Sequence, residues 1–412
     1  MSSFQRALKN PALLVLMLGH FTNDLFGGVL AIMYPVLKLK FGLSNAEIGF
    51  VTLVYTGMSS LTQPAFGHLV DRHSRVWYAP LAILWGSVFV SFYGLAPTFP
   101  LLLGCAAMAG AASGAFHPVG ATNAAAVTDP AYRNGAMSLY TVSGTTGYAI
   151  GPLVAAAILA IVGPQGTWFL AIPGAIVAGL ILKQMGVVER ARNLRAQLSG
   201  GPLARPAWGP VSRIIGVTML RSWIFLSVLQ FTPIWYADLG FSSAFYGPLT
   251  SIIILSGAVG TLIGGGLADR IGQKAVLIWT MAATIPALLI YAGFPGPWAL
   301  ATGFLFGLAC DASLSVTLVM AQQLVPGRVG VATGVILGLG FVTGGIGVPI
   351  TGRIADTYGI QTALLSLSVL AVLAILLATT IPSDSALAAR VRAAEDDVAA
   401  APPGAAGSSA RR

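Results

Sequence analysis

Apolar runs long enough to cross a bilayer recur along the whole chain, separated by short polar breaks. An α-helix rises 1.5 Å per residue, so about 20 apolar residues span the hydrocarbon core. Segments near 12–37, 46–69, 76–95, 98–126, 135–162, 166–186, 212–236, 245–268, 275–293, 297–323, 331–353 and 361–381 read as such helices. The breaks carry turn chemistry: Phe41-Gly42-Leu43-Ser44, Ala96-Pro97, Gly163-Pro164, Pro295-Gly296-Pro297 and Val325-Pro326-Gly327. Charged residues make up 8% of the chain and apolar ones 56%, against about 25% and 45–50% in a soluble domain. The expected fold is therefore an all-α membrane protein of 12 transmembrane helices. Its 50 glycines fit helices that approach closely inside a membrane. The first apolar run, Pro11 to Leu37, is too long for a cleavable signal peptide and lacks a small-residue cleavage site.

Orientation follows from the basic residues. With the N-terminus inside, eighteen Lys and Arg fall in inner loops and tails, and only Lys38, Lys40 and Arg353 fall outside. That bias puts both termini in the cytoplasm of a multi-pass protein of the inner (plasma) membrane. The net charge of +9 is thus an orientation signal. There is no basic stripe interleaved with aromatics, which argues against a nucleic-acid partner. Cys105 and Cys310 sit inside apolar runs, as packing residues rather than a disulfide or metal site.

Shifted by 198 positions, the chain aligns with itself. Gly42 falls on Gly240, Ser44 on Ser242, Gly49 on Gly247, Gly67 on Gly265, Asp71 on Asp269, Arg72 on Arg270 and Pro97 on Pro295. Two six-helix bundles of one topology are expected, residues 1–186 and 212–381. A polar, basic cytoplasmic linker (187–211) would join them, and a disordered tail (382–412) would follow. Bundles related this way leave a substrate path between them.

Three sets of residues stand out. Gly67-His68-Leu69-Val70-Asp71-Arg72 and Gly265-Gly266-Leu267-Ala268-Asp269-Arg270 both close the second helix of a half. Such a carboxylate can sit at a neighbouring helix N-terminus and the Arg can pair across the loop; an ordinary basic turn would not repeat at one offset. This pattern resembles the loop signature of the major facilitator superfamily, whose members gate the cytoplasmic side there. The resemblance assigns gating to Gly67, Asp71, Arg72, Gly265, Asp269 and Arg270, with Ser74 where the family prefers Gly. A partial echo, Gly352-Arg353-Ile354-Ala355-Asp356, reads as an outer turn.

On the fifth helix, Gly144, Gly147 and Gly151-Pro152 fall on one face and suit close helix packing. Gly147-Tyr148-Ala149-Ile150-Gly151-Pro152 resembles the motif of drug–proton antiporters in the superfamily and implies export. Ionisable residues inside spans form the third set: His20, Asp24, His117, Arg221 and Asp311. Each can also be a buried pair that only fixes packing. A carboxylate in a low dielectric can gain or lose a proton as access alternates, so Asp24, His20 and Asp311 are the candidates for proton coupling. Asn23, Asp24, His117, Arg221 and Asp311 are the candidates for substrate binding. The first and seventh helices are repeat equivalents, so Asp24 and Arg221 are expected to pair or to compete for one substrate.

Gly19-His20-Phe21-Thr22-Asn23-Asp24, Ala115-Phe116-His117-Pro118 and Ala321-Gln322-Gln323-Leu324-Val325-Pro326-Gly327-Arg328 resemble the fosmidomycin-resistance efflux family. The resemblance spans nearly the whole chain and implies proton-driven export of a small polar or anionic compound or drug. Family members can carry an acidic residue after the His-Pro pair; here it is Val119. A proton symporter importing a sugar or organic acid is the alternative on the same fold. A membrane-embedded metal enzyme using His20, Asp24, His117 and Asp311 lacks any HExxH-type spacing, and an inert sensor is the remaining reading. The expectation is thus a non-enzyme without cofactor or metal, a monomer whose partners are a small-molecule substrate, protons and the lipid bilayer.

Overall fold

Asn10 starts the first helix: its side chain accepts from Leu13 N at 3.2 Å, and Pro11 follows in the first turn, where its missing N–H costs nothing. The computed structural model describes residues 8–73, 77–129, 133–196, 208–324, 329–387 and 389. Among these it shows only helices and their connections. The first half comprises α1 (Pro11–Phe41), α2 (Asn45–His73), α3 (Tyr78–Ser91), α4 (Phe99–Ala126), α5 (Arg133–Ile161), a 3-10 turn (Pro164–Leu170) and α6 (Ala171–Ala196). The second comprises α7 (Trp208–Asp238), α8 (Ser243–Ile271), α9 (Gln273–Gly293), α10 (Ala299–Asp311), α11 (Leu314–Leu324), α12 (Val329–Tyr358), α13 (Ile360–Ser366) and α14 (Ser368–Thr379).

Nine helical segments among the described residues are long and apolar enough to cross a membrane. The others explain themselves locally. α3 has only 14 residues where 76–95 was expected. α2 carries Thr52, Thr56, Ser59, Ser60, Thr62 and Gln63 along its length. Two of the nine are interrupted helices: Ala299–Ala321 is broken at Ala312-Ser313 into α10 and α11, and Ile360–Thr379 is broken at Leu367 into α13 and α14.

The turn glycines repeat with the sequence. Gly42 ends α1 at φ 64, its N–H bonded to Lys38 O, and Gly240 follows α7 at φ 87. Only a residue without Cβ takes this left-handed conformation freely. After Gly42, Ser44 and Glu47 form a reciprocal cap: Ser44 N and Oγ each donate to Glu47 Oε2 at 2.8 Å, and Glu47 N donates to Ser44 Oγ at 3.2 Å.

Two ends of the expected organisation differ from the sequence reading. α6 runs on to Ala196 and α7 begins at Trp208, so helix occupies both flanks of the expected 187–211 linker. The tail expected to be disordered from 382 instead has a helical turn over 384–387. Leu387 is buried there, and Asp384 Oδ1 accepts from Lys274 N at 3.2 Å, anchoring the turn to the start of α9. The acidic run Glu395-Asp396-Asp397 lies outside the described residues.

Within the first half, α1 packs on α4, α5 and α6; within the second, α7 packs on α12 and α14. The halves meet through α2 with α12, α5 with α8 and α1 with α7. The described polar contacts between halves gather at one end. Asp356 of α12 accepts from Asn45 N at 2.8 Å and Ala46 N at 3.0 Å, capping α2 across the divide. Lys38 lies 3.8 Å from Asp238, and Ser243 Oγ donates to Ala156 O at 3.4 Å. A Cβ on Gly49 would stand 2.5 Å from the Pro349 backbone. The echo motif around Asp356 thus does more than close a turn: its carboxylate joins the halves. Toward the other end α2 loses cover: Val51, Thr52, Thr56 and Ser60 are buried, but no residue from Leu61 to Leu69 is. Leu61 is 72% exposed and Leu262 of α8 is 74% exposed. Among the described residues the halves touch at the Asp356 end, and α2 is more exposed toward the other.

Candidate functional site

Midway along the bundle each half holds one polar cluster. In the first half His20 and Asp24 stand one turn apart on α1, and His117 reaches them from α4. The His20 ring stacks on Tyr140, with centroids 4.3 Å apart, and its Nδ1 lies 2.8 Å from the Tyr140 carbonyl. A carbonyl can only accept, so Nδ1 carries a hydrogen and Nε2 is the nitrogen left to face Asp24. Nε2 lies 3.4 Å from Asp24 Oδ2, and His117 Nε2 lies 3.6 Å from Asp24 Oδ1. Asn23 Nδ2 donates to Asp24 Oδ1 at 2.9 Å and to Ser113 Oγ at 3.3 Å. With neutral imidazoles and a charged Asp24, lone pairs face lone pairs between His20 and Asp24. A proton or another cation relieves that opposition. Asn23 and His20 are buried, whereas the His117 side chain is 32% exposed. The cluster is dry on one side and open on the other.

The glycines of α5 allow this arrangement. A Cβ on Gly144 would stand 2.5 Å from both Asp24 Oδ2 and His20 Nε2. One on Gly147 would strike the Phe21 carbonyl, and one on Gly151 the Leu25 carbonyl, while Pro152 packs beside Gly28. The spacing of three and four residues therefore lays bare backbone against α1, and Gly144 lets the α5 backbone close on the His20–Asp24 pair.

In the second half Arg221 of α7 pairs with Asp311, and its Nη2 donates to Ser222 Oγ at 3.0 Å. Arg221 and Asp311 are 6% and 9% exposed, and Arg221 Nε is buried without a partner. Asp311 sits at the break between α10 and α11, its carbonyl accepting from Thr261 Oγ1 at 2.9 Å. Irregular backbone at mid-span is tolerated where protein satisfies it, and often marks a binding site.

This corrects the expected partnership. Arg221 takes the carboxylate of its own half, Asp311, and Asp24 takes the two histidines. The reason is visible in the repeat. At the 198-residue offset Asn23 corresponds to Arg221 and Ser113 to Asp311, so the Asn23–Ser113 hydrogen bond and the Arg221–Asp311 ion pair are the same contact made twice. Sequence reasoning missed Ser113 and Tyr140. Extending the offset to the fourth and tenth helices finds Ser113; nothing local marks the Tyr140 carbonyl.

At the more exposed end a Cβ on Gly67 would meet Pro118 and one on Gly265 would stand 3.4 Å from Ser315 Oγ, while Arg270 lies exposed in the last turn of α8. The side chains of Asp71, Arg72 and Asp269 lie outside the described residues. His20, Asp24 and His117 could hold a metal ion, since their ligand atoms lie within 4.8 Å of one another. The sequence reading expected no metal.

Helical halves related by an internal repeat, meeting around buried polar clusters, define a membrane transporter. A sequence profile of the Major Facilitator Superfamily matches residues 16–249 and 214–410, and the chain belongs to that superfamily. Among its relatives, the uncharacterized MFS-type transporter YfnC of Bacillus subtilis is 31% identical over 92% of this chain and 94% of its own. The fosmidomycin resistance protein of Escherichia coli is 28% identical over 84% of this chain and 86% of its own. A bacterial homolog of the human lysosomal transporter Spinster, solved in an inward-facing and occupied conformation, superimposes with a TM-score of 0.77 at 16% identity. That match covers 92% of this chain and 97% of the other.

Proposed function

We propose that this chain is a proton-coupled secondary transporter that exports a small polar or anionic compound, of the fosmidomycin type, by alternating access. In this reading it crosses the inner membrane twelve times with both termini cytoplasmic. The residue bias of the loops then makes the end opposite Asp356 cytoplasmic, and the contacts joining the halves at the Asp356 end favour an inward-facing state. Two bundles (1–186 and 212–381) rock around the mid-bundle clusters.

The observation that carries the reading is the His20–Asp24–His117 cluster, whose ring nitrogens and carboxylate oxygens lie close enough to share one proton midway along α1. Asp24 and His20 carry the proton, and Asn23 and His117 bind beside them. Arg221 is the anion's contact. Its guanidinium is already held by Asp311, so an incoming anion competes with that carboxylate, and a freed Asp311 is a second proton acceptor. Gly67, Asp71, Arg72, Gly265, Asp269 and Arg270 gate the cytoplasmic end. Export is supported by the likeness of the Gly147–Pro152 run to the drug–proton antiporter motif and by the fosmidomycin resistance relative.

The test is accumulation of fosmidomycin in an efflux-deficient host, with and without the chain. Expression should lower accumulation, and a protonophore should abolish the difference. Accumulation that rises with an inward proton gradient would make the protein an importer and overturn the export reading.

A further inference from the structure

We propose that His20, Asp24 and His117 form a binding site for a divalent transition-metal ion of the Zn2+ kind, held by two imidazole nitrogens and one carboxylate oxygen. The inference goes beyond the transport reading, because the site would take the ion whether or not Asp24 carries a coupling proton.

Four observations carry it. The donor set is two imidazoles and a carboxylate, which suits Zn2+, Co2+ or Ni2+ rather than the hard cations Mg2+ or Ca2+. The spacing is close to what an ion needs. Tetrahedral zinc with bonds of about 2.0–2.1 Å puts its ligand atoms roughly 3.4 Å apart. His20 Nε2 to Asp24 Oδ2 is 3.4 Å, His117 Nε2 meets the other oxygen, Oδ1, at 3.6 Å, and one donor atom from each residue lies within 4.8 Å of the other two, so a small inward shift of His117 would close the set on an ion. The tautomer is already set: His20 donates Nδ1–H to the Tyr140 carbonyl at 2.8 Å, the outer-shell contact that aims Nε2 at a metal. Asn23 likewise steadies the carboxylate through Oδ1.

The fourth observation is access to the pair. Residue 144 lacks a side chain, and a Cβ there would press on both donor atoms at 2.5 Å, His20 Nε2 and Asp24 Oδ2. The exposed side of His117 supplies an entry path and leaves a fourth coordination position open to water or a donor atom of a cargo. Three protein ligands and one open position are the pattern of an exchangeable rather than a structural zinc site.

The experiment is calorimetric titration of the full-length protein, purified in detergent and stripped with EDTA, using ZnCl2 as the probe. One ion per chain should bind with micromolar or tighter affinity. His20→Gln and His117→Gln should each weaken it at least tenfold, and Gly144→Ala should weaken it by pressing a methyl against both donor atoms. Thermal unfolding without metal checks that each variant is folded; His117, the most exposed of the three, is the substitution best tolerated. CoCl2 should give the visible absorption of a four-coordinate site in the wild type, lost in both histidine variants. Absence of binding below millimolar zinc overturns the proposal. So does binding that survives both histidine substitutions, since His68, His73 or the acidic tail would then hold the ion. Flux driven by a pH gradient, measured in EDTA, tests the transport reading separately, so either can fail without the other.

Discussion

Replacing Asp356 by Ala removes the carboxylate that caps α2 from the opposite half. Two hydrogen bonds go with it, from Asn45 N at 2.8 Å and Ala46 N at 3.0 Å. Hydrogen bonds to a charged group contribute about 1.5–3 kcal/mol each when water is excluded, and a carboxylate at a helix N-terminus adds about 0.3–1 kcal/mol. Asp356 is exposed and Ala46 half-buried, so water replaces much of this in the variant. The net loss is then about 1–2 kcal/mol, which is roughly a 5- to 30-fold change in an equilibrium constant. The contact exists only while the halves touch at this end, so the whole loss falls on the closed-outside state. Cys105 and Cys310 are buried, so spin labels on L39C and L239C, one exposed site per half, report the separation directly. The expected result is growth of the longer-distance population by at least fivefold in Asp356→Ala, with partial recovery in Asp356→Glu. An unchanged distance distribution would refute the argument that this carboxylate latches the halves.

Three further outcomes follow from the same geometry. Asp311→Asn leaves the Arg221 charge buried without its partner, which costs about 3–5 kcal/mol; thermal unfolding in detergent should show the loss, and the double variant Arg221→Gln/Asp311→Asn should recover more than half of it. Gly147→Val drives a side chain into the Phe21 carbonyl; overpacking of about 1–3 kcal/mol should lower both the unfolding temperature and the rate of substrate flux. Asp71→Asn and Asp269→Asn should slow turnover with substrate affinity unchanged, and a large affinity loss in either would remove them from the gate.

Much of this fold was legible because the membrane leaves few choices: long apolar runs must be helices, and a repeat at one offset must give two like bundles. His20 and Asp24 were legible as a pair because helical spacing alone puts them on one face. The partner of Arg221 was not. Which carboxylate it meets depends on the rotation of α7 and α10 about their axes and on the break at Ala312-Ser313, neither of which a hydropathy pattern encodes. The clue lay in the 198-residue offset, carried only to the loops and not into the fourth and tenth helices. The role of Asp356 was hidden for a related reason. Its motif reads as a local turn, and only the closure of one half on the other brings it to the first turn of α2. The anchored turn at 384–387 escaped notice because a single apolar residue, Leu387, decides it in an otherwise small and polar segment.

The central claim is that the cluster on α1 carries the proton that drives transport. Substrate flux under an imposed pH gradient, in proteoliposomes containing wild type or Asp24→Asn, tests it most directly. The account predicts gradient-driven flux for the wild type and none for Asp24→Asn, with substrate exchange at equal pH retained. Gradient-driven flux at the wild-type rate in Asp24→Asn would contradict it.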